Sequence, residues 1–194
     1  MLERELLEEL RLKTGIRSHR IQGLRTDDKA LAEAALPVLV DWFDRIQDPS
    51  YRAAIVQTMN TPHAYKYFDK ILEWWQHARD PEYSGFLTQL VARLLKKADA
   101  EKVWTACQRT APDPFRIFIL RRLITIPSVS AEVLDTIYRN LLSGLYDPAE
   151  LEAMSAIADP RIREWFAGQL DNPDEHVSSI AMKLVNSGEG GAVQ

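Results

Sequence analysis

Three side chains with metal-binding chemistry recur at one spacing in the middle of the chain. Asp69, Glu73 and His77 are four residues apart, a spacing that places them on one face of a helix. A carboxylate and an imidazole at this spacing can both reach one metal ion. Zinc sites take three or four protein ligands, however, and the H-E-x-x-H pattern is absent. A solvated helix face explains the spacing better, and we predict no metal and no cofactor.

The rest of the chain carries no recognisable catalytic pattern. It contains no G-x-S-x-G elbow, no phosphate-binding G-x-x-x-x-G-K-[ST] loop and no G-x-G-x-x-G after a strand. The single cysteine, Cys107, lies between Ala106 and Gln108 in a predicted helix, which favours a small core residue. One cysteine also excludes an internal disulfide framework. We therefore predict that the protein is not an enzyme.

Aromatic side chains concentrate in one short stretch. Tyr65, Tyr67, Phe68, Trp74 and Trp75 form two stripes of a predicted helix, one with Phe68 and Trp75 and one with Trp74. A helix packed between two neighbours buries two faces, which favours a core role for both stripes. The alternative is an exposed aromatic patch that anchors a partner.

A basic segment spans the end of the first predicted helix and the connector after it. It holds Arg11, Lys13, Arg17, Arg20 and Arg25, with His19 among them and no acidic residue from Leu10 to Thr26. The whole chain has a net charge of −4, so this positively charged segment contrasts with a remainder that is negatively charged. It could bind phosphates or an acidic protein surface. Alternatively, it is solvated or pairs with the excess acids of the same chain.

The elements that must position these residues are marked by an acid or amide followed by proline. The prolines of these dipeptides are separated by 32, 33, 34 and 25 positions. Recurrence at a period of this size is typical of a helical repeat array, which offers an extended binding surface. The five dipeptides are Asp48-Pro49, Asp80-Pro81, Asp113-Pro114, Asp147-Pro148 and Asn172-Pro173.

The hydrophobic pattern predicts an all-α fold, with an N-terminal helix over 2–14 and about five helix pairs after it. No alternating strand pattern of useful length occurs. Each dipeptide is predicted to open the second helix of a pair, with the acid as N-cap and proline in the first turn. The two helices of the first pair begin at Asp27 and at Pro49. The other four pairs occupy 62–78 with 81–97, 99–109 with 113–126, 130–144 with 147–158, and 159–170 with 173–186.

Several local features accompany these helices. Gly15 is placed to adopt a left-handed conformation after the first helix. Asp27 or Asp28 can cap the next helix, in which Pro37 predicts a bend. The helix from Asp113 is apolar on most sides, as expected for the middle of an array.

Bulk composition limits the class of protein. Apolar residues make up 46% of the 194 residues, which is ordinary for a folded domain. The net charge of −4 argues against a generic nucleic-acid coat. The longest uncharged apolar stretch, Ala34 to Val40, is too short to span a bilayer, and acids occupy the start of the chain where a secretory signal carries lysines. We expect a cytoplasmic protein with no membrane partner.

The pairing resembles bacterial HEAT-like repeat proteins. The resemblance rests on Asp48-Pro49-Ser50-Tyr51-Arg52, on its looser echoes at Asp113 and Asp159, and on Ala35-Leu36-Pro37-Val38-Leu39 ahead of Trp42. It covers roughly residues 27–186 and implies a right-handed α-α superhelix that binds proteins or, less often, nucleic acid. Residues 1–26 form a separate helix and basic connector, and the glycine-rich residues 187–194 are predicted to be a flexible tail.

In HEAT-like arrays the second helices line the concave wall, where a ligand is expected. A polar, partly basic face opposite the apolar stripe of these helices includes Thr88, Lys96, Glu150 and Glu152. Arg52, Arg116 and Arg163 are instead expected to make structural bonds between neighbouring repeats. The predicted binding residues are Gln57, Gln89, Arg93, Arg121, Arg122 and Lys183.

Two functions fit this surface. The first is a non-enzymatic scaffold that binds another protein, as a regulator or inhibitor. The alternative is a nucleic-acid-binding protein, since some HEAT-like proteins are DNA-repair glycosylases that use aromatic and basic residues on the concave wall. Trp74 or Trp104, near Arg93 and Arg121, would supply those residue types, but the net charge disfavours this alternative.

Overall fold

All regular secondary structure in the described part of the protein is helical. A computed structural model describes residues 2–15, 17–18, 20–21, 24, 28–109, 115–146 and 148–189. These residues form eleven α-helices and two 3-10 helices, and they contain no β-strand. The predicted all-α class is therefore confirmed. No helix of the described chain is long and apolar enough to cross a membrane.

The α-helices are α1 (Leu2–Thr14), α2 (Lys29–Arg45), α3 (Pro49–Thr58), α4 (Phe68–His77), α5 (Pro81–Leu94), α6 (Ala100–Arg109), α7 (Arg116–Leu123), α8 (Pro127–Leu142), α9 (Pro148–Ser155), α10 (Pro160–Ala167) and α11 (Glu175–Glu189). The 3-10 helices are Pro62–Tyr67 and Lys97–Asp99. The predicted helix over 62–78 is thus two elements, a 3-10 helix followed by α4.

Among the described residues, aspartate caps start two of the five helices that the dipeptides predict, and a further aspartate caps α10. The carboxylate of Asp48 accepts from Tyr51 N at 3.1 Å, and that of Asp80 accepts from Glu82 N at 2.9 Å. Asp159 caps α10 in the same way. Each cap satisfies a first-turn N–H, and the following proline gives up a donor that has no helical partner.

Other predicted boundaries need correction or lie outside the described residues. Asn172-Pro173 does not open α11: Asn172 accepts from Asp174 N, and Asp174 then caps the helix by accepting from His176 N at 2.9 Å. The dipeptide therefore forms a turn before the cap. Asp27, Asp113, Pro114 and Asp147 lie outside the described residues, and Asp28 caps α2.

Two backbone features follow the local sequence. Gly15 has φ +73°, and its N–H bonds to the Arg11 carbonyl at 2.8 Å, as predicted for the end of α1. α2 continues through Pro37 without a break. The predicted tail is helical at its start, because α11 extends to Glu189; residues 190–194 lie outside the described residues.

The chain divides into two compact units, an N-terminal unit over residues 1–96 and a C-terminal unit over 97–194. In the N-terminal unit α1 packs on α2, and α5 packs on both α3 and α4. Trp42, Leu39, Ile55, Ile71 and Leu87 are all at most 2% exposed there. Burying each such side chain contributes about 1.5–3 kcal/mol.

The C-terminal unit has two sets of successive contacts. α8 packs on α6 and α10, while α9 packs on α7 and α11. Val103, Leu123, Val133, Leu151 and Phe166 are completely buried among these helices. In terms of the predicted pairs, first helices contact first helices and second helices contact second helices.

Hydrogen bonds in the N-terminal unit join positions about one repeat apart. Along α3 and α5, Ser50 Oγ donates to Glu82 Oε1, Arg52 Nη1 donates to the Tyr83 hydroxyl, and Arg93 Nη1 donates to Asn60 Oδ1. The paired residues are 32, 31 and 33 positions apart. These separations match the spacing of the prolines in the sequence.

Candidate functional site

The first candidate surface lies on α3 and α5. We call Gln57, Asn60, Gln89 and Arg93 the α3–α5 surface. Gln57 and Arg93 are exposed, whereas Asn60 and Gln89 are half-buried. Because the apolar faces of the two helices pack inward, these polar side chains are left at the outer side of the packed pair.

One contact connects the two helices of this surface. The Arg93 guanidinium donates to Asn60 Oδ1 at 3.3 Å, which orients the guanidinium but leaves it exposed. No carboxylate ion-pairs with Arg93 among the described residues. Guanidinium and amide groups together donate well to carboxylates and backbone carbonyls.

The second candidate surface lies on α7. Arg121 and Arg122 are adjacent and exposed, and neither makes an ion pair within the described part of the chain. Phe115, at the start of α7, and Phe118 are 40% and 44% exposed. Their rings stack with centroids 6.4 Å apart and planes at 14°. We call these four residues the α7 face.

The exposure of the two phenylalanines corrects the sequence prediction. The helix from Asp113 is predicted to be apolar and buried on most sides, and Ile117, Ile119 and Leu120 are indeed buried. Positions 118, 121 and 122, however, fall on the opposite side of the helix and face solvent. Sequence reasoning selects the two arginines of this surface but misses Phe115 and Phe118, because phenylalanine normally indicates a core position.

Lys183, on α11, is exposed but has an acidic neighbour. Its Nζ lies 3.8 Å from Glu152 Oε1, and both side chains are about 70% exposed. A surface pair of this kind contributes little to stability. The six predicted binding residues thus divide between the units: Gln57, Gln89 and Arg93 in the N-terminal unit, and Arg121, Arg122 and Lys183 in the C-terminal unit.

Two residues predicted on the polar face are buried instead. Thr88 is 0% exposed and Glu150 is 1% exposed. Thr88 Oγ accepts from Trp75 Nε1 at 2.8 Å and donates to the Ser84 carbonyl at 3.0 Å, so its hydroxyl makes both of these hydrogen bonds inside the core. Neither residue is available to a ligand.

The arginines predicted to be structural behave differently from one another. Arg52 bonds across helices as expected. In the last pair, Arg161 takes the structural role and Arg163 is exposed: Arg161 donates to Asp135 Oδ1 at 2.6 Å and to both carboxylate oxygens of Asp159. Arg116 is half-buried, and its Nε has no hydrogen-bond partner among the described residues.

The aromatic stretch is mainly structural. Phe68 and Trp75 are 3% and 5% exposed, and Trp74 stacks on Phe43 with centroids 4.1 Å apart. Trp74 Nε1 also donates to Asp44 Oδ1 at 2.8 Å. Both stripes therefore pack against neighbouring elements, as the core interpretation predicts. Tyr65 and Tyr67 are half-buried and lie under the ammonium groups of Lys96 and Lys66.

Trp104 does not resemble a base-stacking side chain. It is 5% exposed on α6, and its Nε1 donates to Glu132 Oε2 at 2.8 Å. Its indole is therefore buried within the C-terminal unit.

The candidate metal ligands Asp69, Glu73 and His77 all lie on α4. The described residues contain no group of three histidine, cysteine or acidic side chains arranged to hold a metal ion. His77 Nδ1 lies 2.8 Å from the Glu73 carbonyl and so bonds along its own helix. Cys107 is buried, and its burial raises the pKa of the thiol to about 12.

The basic segment pairs partly with acids of its own helix. Arg11 donates to both oxygens of Glu8, at 2.5 and 2.9 Å, and this hydrogen bonding lowers the pKa of Glu8. Arg17 and Arg20 are exposed, whereas His19 and Arg25 lie outside the described residues. An open groove of 440 Å³ beside α1 has acidic and basic lining residues, namely Glu3, Arg4, Leu7, Glu8, Arg11, Arg17 and Ser18.

Comparison with known proteins adds no assignment: no family model, no curated protein and no solved structure matches the chain. The resemblance to HEAT-like repeats therefore rests on the sequence pattern alone. Function must be argued from the exposed surfaces themselves.

Proposed function

We propose that this protein is a non-enzymatic, HEAT-like helical scaffold that binds another protein through its second helices. The observation that carries the proposal is the spacing of the bonds between α3 and α5. Ser50–Glu82, Arg52–Tyr83 and Asn60–Arg93 all join positions close to one sequence period apart. A repeat array stacks its units in this way, so that each unit contacts its neighbours through equivalent positions.

The helix contacts support the same interpretation. In the predicted pairs, α3, α5, α7, α9 and α11 are second helices. α3 packs on α5 in one unit, and α9 packs on both α7 and α11 in the other. Within each unit, side-by-side packing of second helices builds a surface from more than one helix, on which side chains distant in sequence can contact a partner.

The exposed side chains on the second helices of each unit suit protein binding. Gln57, Gln89 and Arg93 present amides and a guanidinium in the N-terminal unit, and Arg121 and Arg122 present two more guanidinium groups in the C-terminal unit. Arginine is enriched among residues that contribute strongly to protein interfaces. Lys183, on α11 of the C-terminal unit, also belongs to the proposed binding residues, although Glu152 partly neutralises it. A regulator or inhibitor is one role that such a scaffold can have.

The proposal is tested by replacing Gln57, an exposed residue of the α3–α5 surface, with a photo-crosslinking amino acid and identifying the proteins captured in cells of the source organism. The captured partner is then purified, and its affinity is measured for the wild type, Arg93→Glu and Lys29→Glu. Lys29 is the matched control because it is an exposed cation of the same unit and, among the described residues, pairs only with Glu33 on its own helix, at 3.8 Å.

We expect Arg93→Glu to lower the affinity for the partner by about tenfold or more, and Lys29→Glu to leave that affinity unchanged. Failure to capture any protein, or equal affinities for all three proteins, would contradict the proposal. Tight binding of DNA with a steep loss at high salt, in the absence of a protein partner, would favour the nucleic-acid alternative.

A further inference from the structure

The α7 face differs from the other exposed apolar residues of the protein. Leu12, Leu142, Leu145, Leu170 and Met182 are also exposed. Among the described residues with large exposed apolar side chains, only Phe115 and Phe118 stack on each other. Two stacked rings present a larger continuous apolar area than a single leucine or methionine does.

The charge beside these rings has one sign. Arg121 and Arg122 follow Phe118 at the i+3 and i+4 positions, so one of them lies next to the ring on each side of the helix face. The sequence from Pro114 to Ala131 contains no acidic residue. By contrast, Arg11, Arg45 and Arg161 each pair with a carboxylate.

We infer that the α7 face is the docking site for an acidic segment of a partner protein, one that carries an apolar side chain between its carboxylates. The inference rests on the proposed protein-binding function and specifies the chemistry of the partner. The apolar side chain would pack on Phe115 and Phe118, while the carboxylates accept hydrogen bonds from Arg121 and Arg122. Aromatic and arginine side chains together are the usual composition of such anchoring sites.

Charge complementarity favours a protein segment over nucleic acid. A nucleic-acid strand is held by a continuous row of cations along its phosphates, together with stacking. The α7 face offers two arginines in a chain whose net charge is −4. Two guanidinium groups flanking an apolar pair match a short acidic motif instead, because each carboxylate can take a bidentate bond.

The inference can be tested with synthetic peptides and the full-length protein. The probe is a fluorescent peptide of about 15 residues in which Glu and Asp flank Leu and Phe at helical spacing. One control peptide keeps the acids but replaces Leu and Phe with Ser, and a second keeps Leu and Phe but replaces the acids with Gln and Asn. Affinity is measured by fluorescence anisotropy at low and high salt.

Four variants locate the binding site. Phe118→Ser and Arg122→Glu change the α7 face, whereas Leu145→Ser and Arg163→Glu make the same changes at exposed positions elsewhere in the C-terminal unit. We expect Phe118→Ser and Arg122→Glu to lower the affinity for the probe peptide by about tenfold or more. The two control variants should lower it by less than about twofold. Both control peptides should bind more weakly than the probe, and high salt should weaken the probe as well. Circular dichroism verifies that each variant is folded.

Several results would overturn the inference. They are no binding of the probe by the wild type, equal binding by all four variants, or a preference for a single-stranded oligonucleotide that the same variants abolish. Concentration-dependent self-association that Phe118→Ser removes would assign the face to a second copy of the chain. If the captured partner depends on Arg93 but not on Phe118 or Arg122, the proposed function stands and this inference alone fails.

Discussion

Arg52 on α3 donates from Nη1 to the Tyr83 hydroxyl on α5 at 3.2 Å, across 31 positions of sequence. The same guanidinium donates from Nε to the Ile46 carbonyl at 2.7 Å, and it lies 5.1 Å from the ring centroid of Phe43. One side chain thus joins the end of α2, the start of α3 and the start of α5. The arginine that follows the first Asp-Pro dipeptide is a structural link between consecutive pairs.

Replacing Arg52 should therefore destabilise the N-terminal unit. Arg52→Ala removes a charge-assisted bond to the Ile46 carbonyl and two contacts with aromatic rings, so we expect a loss of about 2 kcal/mol in the free energy of unfolding. Urea denaturation followed by circular dichroism measures it. Lys29→Ala, at an exposed position of the same unit, should cost less than about 0.5 kcal/mol. Equal midpoints for the two variants would contradict the structural role of Arg52.

The parts of the fold that the sequence predicts well are those set by local chemistry. An aspartate before proline caps a helix through its own side chain, so Asp48, Asp80 and Asp159 are recognisable without knowledge of the neighbours. Gly15 is predictable for the same reason, since a left-handed residue after a helix strongly favours glycine. The period of the dipeptides also appears in the bonds that join α3 to α5.

The parts that it predicts poorly depend on tertiary neighbours. Phe118 and Glu150 each show the opposite of the burial expected for their side-chain type. The phenylalanine is exposed, and the carboxylate is buried. In the last pair, Arg161 and Arg163 differ by two positions, which on a helix turns a side chain by about 200°. The sequence shows an arginine near the cap but does not show which of the two faces Asp135. The exposure of Phe115 and Phe118 on the α7 face is missed for the same reason.

Thr88 should be intolerant of an isosteric apolar replacement. Thr88→Val keeps the shape of the side chain but removes the acceptor for Trp75 Nε1, which is 2.8 Å away in the core. A buried donor left without a partner costs about 1–3 kcal/mol. The control is Thr105→Val, at an exposed position where the hydroxyl donates to the Glu101 carbonyl of its own helix. Urea midpoints measure both variants, and a Thr88→Val protein as stable as Thr105→Val would show that the buried bond is unimportant.

Asp159 should make the stability of the C-terminal unit depend on pH in the acid range. Hydrogen bonds from the Arg161 side chain lower the pKa of Asp159, helped by the N–H groups of Arg161 and Ile162 and opposed by burial. A lowered pKa in the folded state adds stability above the unfolded value of about 3.9, and this contribution is lost as the pH falls through the folded value.

Asp159→Asn should consequently be less stable than the wild type at neutral pH, and the difference should shrink as the pH falls below about 4. The asparagine can still cap α10, so the variant isolates the loss of charge. Thermal unfolding at several pH values measures the difference. Asp171→Asn, an exposed control of the same unit, should follow the wild type throughout. A constant difference between Asp159→Asn and the wild type at all pH values would contradict the proposed linkage.

Cys107 should react slowly in the folded protein because it is both inaccessible and protonated. The thiol is 2% exposed, and burial raises its pKa to about 12, with the nearby Arg116 opposing the shift. At pH 8 only about one thiol in 10⁴ is then a thiolate, the form that attacks a disulfide reagent. Reaction with Ellman's reagent should be much slower in buffer than in urea, where the ordinary thiol pKa returns. Equal rates in the two solvents would show that the side chain is accessible.

The same raised pKa predicts a loss of stability at alkaline pH. A group whose pKa is higher in the folded state contributes its full stability below the unfolded value of about 8.5, and the contribution falls as the pH rises toward the folded value. Unfolding of the C-terminal unit should therefore become easier above about pH 9. Cys107→Ala should lose less stability than the wild type over this range, because it has no thiol to titrate. Parallel pH profiles for the two proteins would instead assign the alkaline loss to tyrosine and lysine side chains.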